Sequence, residues 1–135
     1  MLRAERMHAS IAQRELLKQV VATMRRVLDE EPRHVMAHFV MGNAFVRLDE
    51  WRSAIQYLDE HLRLAEEAGE APNRVAFQVL GICYKNLGEF RKAVEFHEKD
   101  LRIAKEVGDR AGEARAYCNL GVAYKNLGKF THMQS

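Results

Sequence analysis

Histidine and cysteine are the residue types that would carry metal or nucleophile chemistry, and this chain has six histidines and two cysteines. His34 and His38 stand four apart, a spacing that sets two imidazoles on one helix face as metal ligands need. No third or fourth ligand is placed by the sequence, so no metal is expected. Cys83 and His97 would form a nucleophile–base pair if a hairpin brought them together. Nothing supplies an oxyanion site or an orienting acid, and His97 is expected to pack instead. The glycines are spaced as punctuation and not as a phosphate-binding loop. No catalytic residue, no enzyme activity and no cofactor are expected. Cys83 and Cys118 read as small apolar helix residues and not as a disulfide framework.

Composition narrows the class further. The chain has 135 residues, 47% of them hydrophobic and 30% charged, which suits one core-forming domain. Its net charge of +2 is spread among acids at helical spacing, so nucleic acid is not an expected partner. No apolar run approaches the roughly 20 residues that cross a bilayer, so no membrane partner is expected. The first eight residues carry charges where a signal peptide would be apolar, and Glu5 and Glu15 are unlike a transit peptide. Cytoplasm is the expected location.

The elements that hold these residues follow from an internal repeat. Tyr84-Lys85-Asn86-Leu87-Gly88-Glu89-Phe90 recurs further on as Tyr124-Lys125-Asn126-Leu127-Gly128-Lys129-Phe130. Leu80-Gly81 recurs as Leu120-Gly121 at the same offset, and Met41-Gly42 is an earlier copy at an offset one shorter. In each copy a helical run is expected to end at Asp49, Gly88 or Gly128, residues that tolerate a left-handed helix end. An aromatic follows two residues on: Trp51, Phe90 or Phe130. A second helix then begins. One runs from Trp51 to Ala68, with Ala54, Ile55, Leu58, Leu62 and Ala65 on one stripe. The next runs from Arg91 to Val107, with Ala93, Val94, His97, Leu101 and Ala104. Gly69 and Gly108 close these helices.

Gly42, Gly81 and Gly121 lie inside helices, where glycine costs roughly 1 kcal/mol relative to alanine. Ala54 and Ala93 fall twelve residues after the first two, on the partner helix. A missing side chain opposite a methyl would let the helices approach closely and offset that cost.

These residues resemble the tetratricopeptide repeat. Its pattern of aromatic, Leu-Gly, Tyr and Ala is matched by Phe77, Leu80-Gly81, Tyr84 and Ala93, and again by Tyr117, Leu120-Gly121 and Tyr124. His38, Met41-Gly42, Phe45, Ala54 and Leu58 form a degenerate copy in register. The units are longer than the roughly 34 residues of the standard repeat. In this they look like the extended repeats of Pins/LGN-type G-protein signalling modulators, and more distantly like those of kinesin light chains. The GoLoco motifs of the Pins/LGN proteins are absent, so no G-protein role carries over. The resemblance implies an all-α fold of antiparallel helical hairpins stacked as a short α-solenoid. Residues 1–135 would form one domain: 1–34 an N-terminal helix or degenerate unit, 35–73 repeat one, 74–113 repeat two, and 114–135 the first helix of an incomplete repeat three. In the first of these, His8 stands where the glycine would be, and Leu17, Val20, Val21, Met24 and Leu28 stripe the helix before Pro32.

Such arrays use the first helix of each hairpin to line a concave groove. The family's groove positions fall on Met36, Phe39, Val40, Asn43, Val46 and Arg47; on Val75, Gln78, Val79, Ile82, Lys85 and Asn86; and on Arg115, Cys118, Asn119, Val122, Lys125 and Asn126. This row holds four cations and no acid, in a chain with 19 acids. An interaction module is therefore expected, binding an extended acidic peptide of another protein. Arg47, Lys85, Arg115 and Lys125 would pair its carboxylates. Asn43, Gln78, Asn86, Asn119 and Asn126 would hold its main chain. The alternative is self-assembly. Leu120, Ala123, Tyr124 and Leu127 lack a covering second helix within the chain, so either the chain is a fragment or another copy covers this face as a homo-oligomer.

Overall fold

The computed structural model describes the backbone of residues 3–134 and the side chains of residues 10–129. The expected roles of His8 and of the Phe130 aromatic lie outside the described side chains. Six helices follow one another: α1 (Arg3–Glu30), α2 (Val35–Arg47), α3 (Trp51–Glu67), α4 (Arg74–Asn86), α5 (Phe90–Val107) and α6 (Arg110–Gln134). No strand occurs among the described residues. The fold is all-α, and the chain divides after Pro72 into two compact units.

In the first unit α1 packs on α2, which pairs with α3 as an antiparallel hairpin. Val21 of α1 is buried, flanked by half-buried Leu17, Met24 and Leu28. His34 caps α2, its Nδ1 accepting from the Ala37 N–H at 3.0 Å. His38 Nε2 donates to the Pro32 carbonyl at 3.0 Å. The two imidazoles with metal-like spacing thus each bond to the backbone around the start of α2. The α2–α3 turn is closed by Asp49 in the left-handed region (φ 59°). Asp49 N–H donates to Val46 O at 3.0 Å and Glu50 N–H to Phe45 O at 2.9 Å, satisfying two carbonyls the helix leaves open.

In the second unit α5 packs against both α4 and α6. Asn73 caps α4 by accepting from Val75 N–H at 3.0 Å. Gly88 closes α4 at φ 77° with the same pair of reversed hydrogen bonds seen at Asp49, to Lys85 O and Tyr84 O. Gly108 (φ 72°) ends α5, and Asp109 then starts α6 by accepting from Gly112 N–H at 2.9 Å.

Three sequence expectations need correction. Gly128 does not end its helix, because α6 runs through it to Gln134. Glycine permits a left-handed turn without imposing one. At Gly88 the reversal is held by α5 folding back on α4, whereas no described helix folds back on α6 beyond Gly128.

The helical glycines, second, face chiefly the residue sixteen on and not the alanine twelve on, although a Cβ on Gly42 would also lie 3.4 Å from the Ala54 carbonyl oxygen. A Cβ on Gly42 would stand 2.7 Å from Leu58 Cγ, and one on Gly81 would collide with the His97 imidazole. Ala54 and Ala93 are fully buried one turn earlier, so they let the helices close, but the longer side chain sixteen residues on fills the gap. Gly121 has nothing within 4 Å of the same point.

The third correction concerns the α3 and α5 stripes. Leu62 and Leu101 are only half-buried, while His61 and Asp100 beside them are buried.

Candidate functional site

Each first helix shows two faces. One is buried: Ala37, Met41 and Phe45 on α2, Ala76, Leu80, Cys83 and Tyr84 on α4, Ala116, Leu120 and Ala123 on α6. The other carries the row of cations, amides and aliphatics, and none of its members is buried. Val75 (48% exposed), Ile82 (37%) and Val122 (49%) are apolar residues left facing water in the second unit.

The structure separates the row by unit. Asn43 (half-buried) and Arg47 (exposed) lie on α2 of the first unit, where Arg47 borders a depression with Arg14 and Leu17 of α1 and with Asp49. Gln78 and Lys85 (half-buried) and Asn86 (exposed) lie on α4 of the second unit. Arg115 and Lys125 (exposed) and Asn119 and Asn126 (half-buried) lie on α6 of that unit.

Two of the amides are already engaged. Asn86 Nδ2 donates to Ile82 O at 2.9 Å, within its own helix. Gln78 Nε2 points to Asp100 Oδ1 at 3.4 Å. Asn119 and Asn126 make no side-chain hydrogen bond to the described residues, and the row's cations in this unit, Lys85, Arg115 and Lys125, make no ion pair with them.

Sequence reasoning missed a buried polar cluster beside the row. Asp100 has no solvent exposure. Arg74, at the start of α4, donates from Nε to Asp100 Oδ1 at 2.9 Å and from Nη1 to Asp109 Oδ2 at 3.0 Å. One guanidinium thus ties the start of α4 to the body of α5 and to the cap of α6. Gly112 leaves room for it, since a Cβ there would collide with Asp109 Oδ2 and Arg74 Nη2. The equivalent step of α3 is His61, whose Nδ1 donates to Val35 O at 2.9 Å. Both contacts fasten a second helix to the start of its first helix. The available signal was a polar residue at the same step of two apolar stripes, His61 and Asp100, one repeat apart.

Electrostatics follow this geometry. Hydrogen bonds to Asp100 and then to Asp109 raise the Arg74 guanidinium above its ordinary pKa. The Gly112 N–H, then Arg74, hold the Asp109 carboxyl below the usual range. Burial pushes His97 down from 6.5; the Asp100 charge opposes this and the Lys85 charge adds to it. His97 Nδ1 and Asp100 Oδ2 are buried without a hydrogen-bond partner among the described residues. No group of three or more His, Cys, Asp or Glu side chains converges as a metal site among the described residues. Cys83 is buried and Cys118 exposed, and the two do not form a disulfide with each other. Among the described residues no helix is long and apolar enough to cross a membrane.

Paired antiparallel helices of this length, closed by left-handed residues and recurring at a near-constant spacing, define a helical-hairpin repeat protein. One family model described as tetratricopeptide repeat matches residues 37–72 and again 76–111, and a second of the same description matches 114–135. The chain belongs to the tetratricopeptide repeat family, whose repeats generally mediate protein–protein interaction and are typically scaffolds and not enzymes. No curated protein matches it.

Proposed function

We propose that the chain is an interaction module that holds an extended, acidic peptide segment of another protein along the exposed row of α4 and α6 in its second unit. One observation carries the reading. In the second unit this row presents Lys85, Arg115 and Lys125, no acid, and the water-exposed aliphatics Val75, Ile82 and Val122. Exposed aliphatic side chains beside unpaired cations suit a ligand that alternates apolar and acidic residues. An extended strand does this naturally, since successive side chains point to opposite sides.

The side-chain bonds already made by Gln78 and Asn86 shift the main-chain role toward Asn119 and Asn126, whose amides can both donate and accept. Asn43 and Arg47 offer the same pairing on α2 of the first unit. The exposed Cys118 thiol within the row suits a reducing compartment such as the cytoplasm.

The test is a fluorescence-anisotropy titration with a panel of labelled acidic–aliphatic peptides. Lys85→Glu with Lys125→Glu replaces two attractions by two repulsions. Affinity for an acidic peptide should fall at least about tenfold, or about 1.4 kcal/mol. Unchanged affinity in the double variant sinks the assignment of the row.

A further inference from the structure

The imidazole of His97 lies behind the peptide row. It presses from α5 onto the backbone of α4 at Gly81, where a Cβ would collide with the ring. Gly81 stands three residues after Gln78 and four before Lys85, both members of the row. Steps of three and four are neighbours along a helix, so His97 is seated between these two row positions. The ring is only 4% exposed, and Lys85 is half-buried. Gln78 in turn reaches Asp100, one turn beyond His97 on α5, with Nε2 3.4 Å from Oδ1. Two buried polar atoms of this cluster, His97 Nδ1 and Asp100 Oδ2, have no hydrogen-bond partner among the described residues. In the first hairpin Leu58 takes the same place over Gly42.

Few charges act on this ring. Burial opposes its protonation most, the Asp100 charge on α5 favours it, and the Lys85 charge on α4 opposes it. Cys83 and Tyr84 are the other ionisable groups of α4 beside Gly81, and neither acts on His97. On α6, Glu113 and Tyr117 act on Lys105, Tyr124 bonds Glu98, and none of them acts on His97. Lys85 is thus both a row cation and the one charge that repels a proton on the ring. A ligand carboxylate paired with Lys85 would cancel that repulsion, so the ring would take a proton more readily with ligand bound. By reciprocity, a proton on the ring then tightens the ligand by the same free energy.

We propose that His97 is a proton-linked regulator of the peptide row: the second unit binds an acidic segment more tightly when this buried imidazole is protonated, and takes up a proton as it binds. The inference rests on the row reading above and adds a regulator that does not touch the ligand. Its direction follows from the charges. At pH well above 6.5 the ring is neutral with or without peptide, and affinity does not depend on pH through it. The gain appears as pH falls through the His97 pKa of the complex and is complete below that of the free chain, which lies under 6.5. Carboxylates of the ligand stay ionised over most of this window, since their ordinary pKa values lie near 4.

The test uses the full chain and an acidic–aliphatic peptide that binds in the anisotropy panel, titrated from pH 8 down to about pH 5.5. Wild-type affinity should rise at least about threefold over this range. His97→Leu, which copies Leu58, should bind as the wild type does at pH 8 and lose the rise. A second measurement needs no variant to fold: the nuclear magnetic resonance titration of the His97 ring proton on Cε1. Its midpoint should move to higher pH when the peptide saturates the chain. It should also move up in Lys85→Gln without peptide. The proposal is overturned, and the row reading left standing, if peptide shifts at pH 8 fall on Lys85 and Lys125 but the His97 midpoint stays the same in the complex. An unmoved midpoint in Lys85→Gln, or a full rise in affinity retained by His97→Leu, overturns it equally. Peptide shifts at pH 8 that leave Lys85 and Lys125 unmoved, or no binding across the panel, remove the row reading and this inference with it.

Discussion

The α2–α3 and α4–α5 hairpins share one backbone plan and differ in what they bury at two equivalent steps. Over the helical glycine the first places Leu58 and the second His97. Seven residues after the buried alanine, the first places His61 against a backbone carbonyl and the second places Asp100 against Arg74. The repeat thus prescribes a close glycine contact and a polar fastening at the start of the first helix, but not the chemistry of either. The first hairpin uses an aliphatic chain and a bond to a neutral carbonyl. The second uses a titratable ring and a buried ion pair, so charge and pH should weigh more heavily on its stability.

The largest expected effect comes from removing the guanidinium. Arg74→Ala leaves Asp100 buried without its counter-charge and should cost about 3–5 kcal/mol, the usual consequence of orphaning a buried charge. Chemical denaturation measures it. A loss under about 1 kcal/mol would mean that water reaches Asp100, and the contrast between the hairpins would weaken.

A smaller effect separates the two side chains over glycine. The His97 pKa is depressed in the folded state, so the unfolded chain binds the extra proton first. The contribution is complete above the unfolded value near 6.5 and is lost as pH falls from there toward the folded pKa. His97→Leu copies the Leu58 solution. It should change stability at pH 8 by less than about 1.5 kcal/mol, as volume-conserving core exchanges do. It should also flatten the stability profile below pH 6.5. Thermal melts across pH 5–8 decide this, and an unchanged acid slope in the variant would assign that slope to another group.

The turns provide the smallest contrast. Asp49 and Gly88 occupy the same left-handed position, at φ 59° and 77°. Asp49→Gly should stabilise the first hairpin by about 0.5–1 kcal/mol, because a side chain at such a φ carries strain that glycine lacks. The change would show as a shift of the denaturation midpoint to higher denaturant. A shift to lower denaturant would mean that the entropy of the added glycine outweighs the strain.

Much of this plan was legible in the residues. Hairpin positions, the closing residues Asp49, Gly69, Gly88 and Gly108, and the second-helix spans follow from glycine spacing and a helical stripe. What stayed hidden depended on a partner helix. Periodicity marks a side of α5 but cannot choose between neighbours such as Asp100 and Leu101; Arg74 on α4 makes that choice. Gly128 carries the same local signal as Gly88, yet among the described residues a helix folds back at Gly88 and none at Gly128. In the candidate row the residue types could be read in advance. The engagement of Gln78 by Asp100 and of Asn86 by its own helix could not, since both depend on local geometry.

The central claim is that the exposed first-helix row of the second unit holds an extended acidic peptide. Amide chemical-shift mapping with an acidic–aliphatic peptide that binds in the anisotropy panel tests it most directly. The account predicts saturable shifts along Ile82, Lys85, Asn119, Val122 and Lys125, with little change on the solvent side of α5 at Arg91, Glu95 and Arg102. Shifts concentrated on that side of α5, with the row unmoved, would contradict it.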